Sequence, residues 1–312
     1  MDAGQDPELD PGLAAAIAAM PEWEGFAPEV TPITIGITNR NFKVDIGGES
    51  FVVRLSGKDT GLLGIDRAAE NEAASAAAQA GVAPGVFAYL PEQGALITRF
   101  VKGAHIPEED LEREDVLGAV IRSVKAIHAG APIPSTFPVF RIVEDYRAVA
   151  AERGVSAPPV FGEIHAKACD IEEAFSKQPL AHRPCHNDLL NANFLLDGDH
   201  VWIVDFEYGG MGDLFFDLGN LSINNGLSVD AQEMLLRLYF GTVTEAHRAR
   251  LQLMRIMSDF REAMWGVVQQ AISTLDFDYV DYAGRHFARC LANASDDRFV
   301  EWLRAAASEP VE

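Results

Sequence analysis

The sequence predicts an α+β chain in two lobes: a small antiparallel sheet carrying one helix over residues 1–100, then a larger, mostly helical lobe over 101–312. Three observations predict it. Between Thr31 and Phe100, short β-branched and aromatic runs alternate with glycine-bearing turns, and a single alanine-rich stretch lies among them. Beyond FVKGAHIPEED (100–110), apolar residues recur at helical spacing. One β-like island, PCHNDLLNANFLLDGDHVWIVDFE at 184–207, interrupts the helices.

The whole-chain numbers set limits. With 312 residues, 48% of them hydrophobic, and four tryptophans, the chain can bury one large core or two smaller ones. Its 25 basic and 47 acidic side chains give a net charge of −22, which argues against nucleic acid or an anionic membrane as partner and tolerates a cationic or metal-bound substrate. Cys169, Cys185 and Cys290 are far apart, with no paired spacing, and read as reduced thiols. No apolar run approaches membrane-spanning length, and MDAGQDPELD lacks a signal pattern, so the expected location is cytoplasmic. Oligomeric state has no signature here.

Taken in order, residues 11–20 (PGLAAAIAAM) read as a short helix. ITIGITNRNFKVDIGGESFVVRLSG reads as strand, loop, strand, a turn at Gly47–Gly48, and strand. IDRAAENEAASAAAQAGVAP gives a helix closed by Gly81 and Pro84, and GVFAYLPEQGALITRF two further strands. Val116, Leu117, Val120, Ile121, Val124 and Ile127 mark the first helix of the second lobe, after which APIPSTFP (131–138) is a loop. Segments 160–178, 229–242 and 246–274 carry the same helical spacing.

Within the island, NFLL and VWIV flank DGDH, a hairpin signal with a glycine at the turn. Pairing Leu195 with Ile203 sets Asn193 opposite Asp205 and brings an amide oxygen and a carboxylate together at the open end. Such oxygen donors suit a hard divalent cation such as Mg²⁺, whose remaining positions water and phosphate fill. Asp188, in the loop that returns to the same place, can accept a proton from a substrate hydroxyl. His186 has no second histidine at ligand spacing and reads as an organiser of the loop. Asn191, Asp197 and Asp199 read as turn residues.

H186-x-D188-x-x-x-x-N193, a short hairpin and then D205-F-E resemble the catalytic and metal loops of the kinase-like small-molecule phosphotransferases, a superfamily that includes aminoglycoside phosphotransferases and choline/ethanolamine kinases. The resemblance implies a two-lobed, protein-kinase-like fold. It makes Asp188 the catalytic base, Asn193 and Asp205 the holders of Mg²⁺ and nucleotide phosphates, and His186 a buttress. Glu207 stands where protein kinases carry glycine, as in choline kinases, and is grouped with the substrate-binding residues, its part in the chemistry open.

The same resemblance asks the first lobe for an ATP site. G36-I-T-N-R-N41, through Gly36, Thr38, Asn39 and Asn41, could cover the phosphates. Arg54, at the end of FVVR, falls where the superfamily places a phosphate-binding Lys or Arg, with Glu70 as its expected carboxylate partner and Glu72 as the other register. ITRFV, with Arg99, Phe100 and Val101, falls where the lobes join, so its backbone would pair with adenine. No Walker loop is present, and GGMG (209–212) lacks the third glycine of a dinucleotide fingerprint.

For the acceptor, residues 253–272 carry a core stripe and a second face with Asp259, Glu262, Trp265 and Gln269, read as a surface stripe suited to a quaternary ammonium. The pattern W265-x-x-x-Q269-x-x-x-S273-x-x-x-F277-x-Y279-x-D281-Y282-A283 resembles the C-terminal signature of choline and ethanolamine kinases, with Trp265 and Tyr282 at aromatic positions of the ammonium pocket. A second family tryptophan is Glu262 here, and LSINNGL lacks the aromatics of eukaryotic members, which leaves ethanolamine or another amino alcohol open. Asp217, in FDLGN, matches a position that braces the catalytic loop. The resemblance spans about residues 31–290 and looks most like the bacterial choline kinase branch. The expected protein is thus a kinase using ATP and Mg²⁺ on choline or a related amino alcohol. An aminoglycoside phosphotransferase and a non-catalytic nucleotide-binding protein are the alternatives.

Overall fold

A computed structural model describes residues 9–33, 39–57, 60–308 and 311. Helix α1 (Pro11–Ala18) begins at Asp10, whose carboxylate caps the Gly12 and Leu13 amides. Strands β1 (Glu29–Ile33), β2 (Arg40–Ile46) and β3 (Glu49–Leu55) form the expected meander. Gly47 and Gly48 both take positive φ, the conformation a two-residue hairpin turn demands. Strands β4 (Val86–Leu90) and β5 (Ala95–Arg99) complete an antiparallel sheet in the order β1-β2-β3-β5-β4. Its buried face packs Leu13, Trp23, Phe51, Val53 and Ile97 into a core of its own.

Helix α2 (Arg67–Gln79) does not join that core. Its Ala73, Ala74 and Ala77 belong to the larger hydrophobic cluster. A Cβ built on Gly209 would fall 2.5 Å from that of Ala73, so only glycine there lets α2 lie against the second lobe. The sheet and its helix thus rest on different cores.

The second lobe holds α3 (Glu114–His128), α4 (Val139–Glu152), α5 (Phe161–Lys177), α6 (Leu214–Asn224), α7 (Val229–Phe240), α8 (Glu245–Ile272), α9 (Tyr279–Ala294) and α10 (Phe299–Ser308). Helices α4, α6, α9 and α10 surround α8, every residue of which from Ile256 to Gln269 is buried. The expectation of a surface stripe on α8 therefore fails: a helix packed on all sides has no solvent face. The island folds as β7 (Arg183–Cys185), β8 (Phe194–Asp197), β9 (His200–Ile203) and β10 (Gly210–Gly212), with β7 paired to β10 and β6 (Ala104–His105) added to β8. Among the described residues no helix is long and apolar enough to cross a membrane.

At Gly219, a Cβ would meet the α8 backbone at Met254 C (2.7 Å) and Arg255 N (2.8 Å), groups that cannot move aside singly. Gly219→Ala is expected to lower unfolding stability by about 1–3 kcal/mol through overpacking. A denaturant titration with an unchanged midpoint would show that the α6–α8 crossing has slack.

Candidate active site

Asp217, fully buried on α6, organises the loop at 186–193. Its carboxylate accepts from the backbone N–H of His186 (2.8 Å) and Asn187 (2.6 Å) and lies 2.9 Å from His128 Nε2. One turn along α6, the Asn220 side-chain oxygen accepts from the Leu189 amide at 2.5 Å. Burial lowers the pKa of His186, which stays neutral: Nε2–H donates to the Val204 carbonyl at 2.9 Å and Nδ1 accepts from the Asp188 amide at 3.2 Å. The organiser role fits these bonds. His128, Cys185 and Asp217 lie close enough to ligate one ion, but His128 and Asp217 are spent on hydrogen bonds that hold the loop.

The hairpin register differs from the expected one by a residue. Phe194 faces Ile203 and Leu195 faces Trp202, because only Gly198 and Asp199 make the turn. Asn193 is consequently level with Val204, whose N–H donates to the Asn193 carbonyl at 3.1 Å. Asp205 reaches the site by another route: its φ of +67° turns the chain out of the strand, a conformation Asp tolerates better than most residues. Asn187, at φ +66°, is the matching case, held by its side-chain bond to the Tyr208 carbonyl at 2.9 Å.

A cavity of about 360 Å³ lies between the sheet and this hairpin. Asn41, Arg54 and Glu70 line one side, Arg99, Phe100 and Val101 the junction, and Asn193 and Asp205 the floor. The Arg99 side chain lies over the rings of Phe51 and Phe87. Gly36 and Thr38 fall outside the described residues. Arg54 pairs with Glu70, which is buried, whereas Glu72 is exposed; this decides between the two registers. The other Arg54 nitrogen donates to Asp205 Oδ1 at 2.6 Å.

Burial and the neighbouring charge of Glu207 push Asp205 up to about 6 against the pull of Arg54 and Arg67, so this carboxylate is short of positive charge. Asn193 donates its amide nitrogen to the Asp188 carbonyl at 2.9 Å, which leaves its amide oxygen as a donor to an ion. A carboxylate and an amide oxygen on one cavity wall, under-compensated in charge, fit Mg²⁺. Glu207 is not free for an acceptor: Arg67 (2.7 Å) and Asn39 hold it, and its carboxyl stays low because Arg54 and Arg67 outweigh burial.

On the far side of Asp188 lies a second cluster. Arg261, 1% exposed, places Nη1 2.6 Å from Glu262 Oε1 and 3.4 Å from Asp188 Oδ1, with its guanidinium 4.0 Å from the Tyr208 ring centre. Tyr282 donates its hydroxyl to Glu262 at 2.9 Å, and Trp265 donates Nε1–H to the Tyr208 hydroxyl at 3.0 Å. Trp265 and Tyr282 meet edge to face at 5.5 Å. Although burial works to raise the pKa of Glu262, Arg261, His286 and Tyr282 together hold it low. Asp259 stands apart from this group: Arg289 (2.6 Å) and His286 (2.9 Å) hold its carboxylate and tie α8 to α9, which removes it from the acceptor-facing set.

Arg67, Tyr208 and Arg261 escaped the sequence reading. Arg261 shares its apolar helical run with Arg255, so nothing local marked it; Arg67 sits one turn before Glu70, where an exposed first-turn residue is the ordinary expectation.

Residues 29–253 match the phosphotransferase enzyme family. A crystal structure of a choline/ethanolamine kinase family protein from Mesorhizobium loti is 32% identical, covers 95% of this chain and 98% of its own, and superposes with a TM-score of 0.83. The chain belongs to the phosphotransferase enzyme family, in its choline/ethanolamine kinase branch. This phosphotransferase is also 26% identical over 223 residues to the protein LicA of Haemophilus influenzae, a match covering 70% of this chain and 65% of LicA. With ethanolamine kinase 2 of Mus musculus it shares 27% identity, over 89% of this chain and 80% of that one.

Burial, opposed by Arg261 and reinforced by the charges of Glu262, Asp205 and Glu207, pushes Asp188 from 3.8 up to about 8. The folded state then binds the Asp188 proton more tightly than the unfolded chain, so this group's contribution to stability falls as pH rises between those values. Asp188→Asn is expected to raise Tm above that of the parent at the alkaline end of that window, with the gap closing at the acidic end. A gap independent of pH would contradict the shift.

Proposed function

We propose that this phosphotransferase moves the γ-phosphoryl group of Mg²⁺-bound ATP to the hydroxyl of a small cationic amino alcohol, choline or ethanolamine. One observation carries the acceptor reading. Asp188 and Glu262 contact the same nitrogen of Arg261, at 3.4 and 2.6 Å, so a hydroxyl at one carboxylate and an ammonium at the other fit within a two-carbon amino alcohol. Trp265 and Tyr282 add aromatic faces beside that ammonium position. Arg261 offsets Glu262, so once Asp188 is ionised the cluster carries one net negative charge, which a bound monocation matches.

At the other end, Val52 and Leu96 of the sheet and Leu195 of the hairpin supply apolar surface for a base, with Arg99–Val101 also lining the cavity. Arg54, fixed by Glu70, presents its guanidinium toward phosphate oxygens. Asn193 and Asp205 would hold Mg²⁺, which when bound would neutralise phosphate charge. Asp188 orients the acceptor hydroxyl and takes its proton; the positive charge of a bound acceptor lowers the Asp188 pKa toward the working range. The relatives named ethanolamine kinase and choline/ethanolamine kinase support this reading.

The test is phosphorus NMR of ATP with ethanolamine, choline or an aminoglycoside. Phosphoethanolamine or phosphocholine is the expected product. Asp188→Asn is expected to lower kcat by about a hundredfold or more, and Glu262→Gln to raise the amino-alcohol KM while leaving the ATP KM unchanged. Phosphorylation of the aminoglycoside alone would sink the acceptor assignment.

A further inference from the structure

The open question about Glu207 leads to Arg67. Arg67 Nη1 lies 2.8 Å from Glu70 Oε2 and 2.7 Å from Glu207 Oε1, while its Nη2 is 3.4 Å from Asn39 Oδ1. The Asn39 amide nitrogen donates to the same Glu207 oxygen, which closes a three-membered set of contacts. Three separate stretches meet there: the end of the 36–41 segment, the first turn of α2 and the Asp-Phe-Glu strand end. Glu207 is buried and Arg67 nearly so, with side-chain exposures of 4% and 16%, so these bonds are shielded from water. Asp205, two residues away, keeps 33% of its side chain exposed at the cavity.

We propose that Arg67 is a positioning residue for nucleotide binding. It fixes Glu207, and through Glu207 it clamps Asn39 at the entry to β2, so that the sheet is tied to the strand end that carries Asp205. By occupying Glu207 it also leaves Asp205 as the carboxylate available to the ion. The proposal rests on the reading of the cavity as an ATP site, and deepens it. A residue that only supported α2 would affect folding and both substrates alike; a clamp between the sheet and that strand end acts on nucleotide alone.

The test is a double-mutant cycle in the full-length chain, with Mg²⁺·ADP affinity measured by calorimetry for Arg67→Met, Glu207→Gln and the double variant, alongside Tm and acceptor KM. Each single change is expected to weaken ADP binding about tenfold, and the double change no more than about tenfold, since both remove one clamp. The acceptor KM stays within about twofold. Arg67→Lys, which keeps a charge but not the fork, is expected to fold normally and bind ADP with intermediate affinity. Additive losses, unchanged ADP affinity, or a parallel loss of Tm and of both substrates would overturn the clamp. A parent protein that binds no ADP would instead overturn the nucleotide site itself.

Discussion

One guanidinium joins the two halves of the site. Arg54 stands on a strand of the small core, yet its partners Glu70 and Asp205, and Glu207 at 3.6 Å, belong to segments packed on the large core. A buried ion pair seldom adds much net stability, because desolvation offsets the attraction. What it supplies here is geometry: Arg54 ties the sheet both to Glu70 on α2 and to Asp205 beyond β9. The close approach of α2 to Gly209 holds Glu70 where Arg54 can reach it.

The same logic recurs on the acceptor side. A chain with 47 acidic and 25 basic residues places buried arginines beside its functional carboxylates. Arg54 and Arg67 hold Glu70 and Glu207, and Arg261 holds Glu262. Asp188 and Asp205 are left under-compensated, and their pKa values rise accordingly. These are the positions where a metal ion and a cationic acceptor lower the energy of the site. The acidic exterior adds a field that draws such cations in.

The sheet meander, its alanine-rich helix and the hairpin were legible because each has a local signature: period-two alternation around paired glycines, an alanine-rich run closed by glycine, and two apolar runs flanking a glycine turn. The Arg54–Glu70 pair and the loop brace at Asp217 were implied by the family resemblance, with Glu72 left as the other register for Arg54. The hairpin register could not be fixed, since Asp197, Gly198, Asp199 and His200 allow more than one turn length. The reading of Asp259 failed for a tertiary reason: an acid on a helix face says nothing about which arginine a neighbouring helix will set against it. Helix α4 had a signal in Val139, Val143, Tyr146 and Ala150, which its proline-rich lead-in masked. Arg67 and Arg261 became visible only when strand, helix and loop were brought together.

The central claim is that Asp205, turned out of its strand and short of positive charge, receives the metal that accompanies the nucleotide. Calorimetric ADP affinity with and without Mg²⁺, in the parent protein and in Asp205→Asn, tests it directly. The account predicts that Mg²⁺ tightens ADP binding in the parent by about tenfold or more and leaves the variant unchanged. Equal Mg²⁺ dependence in the two proteins would contradict it.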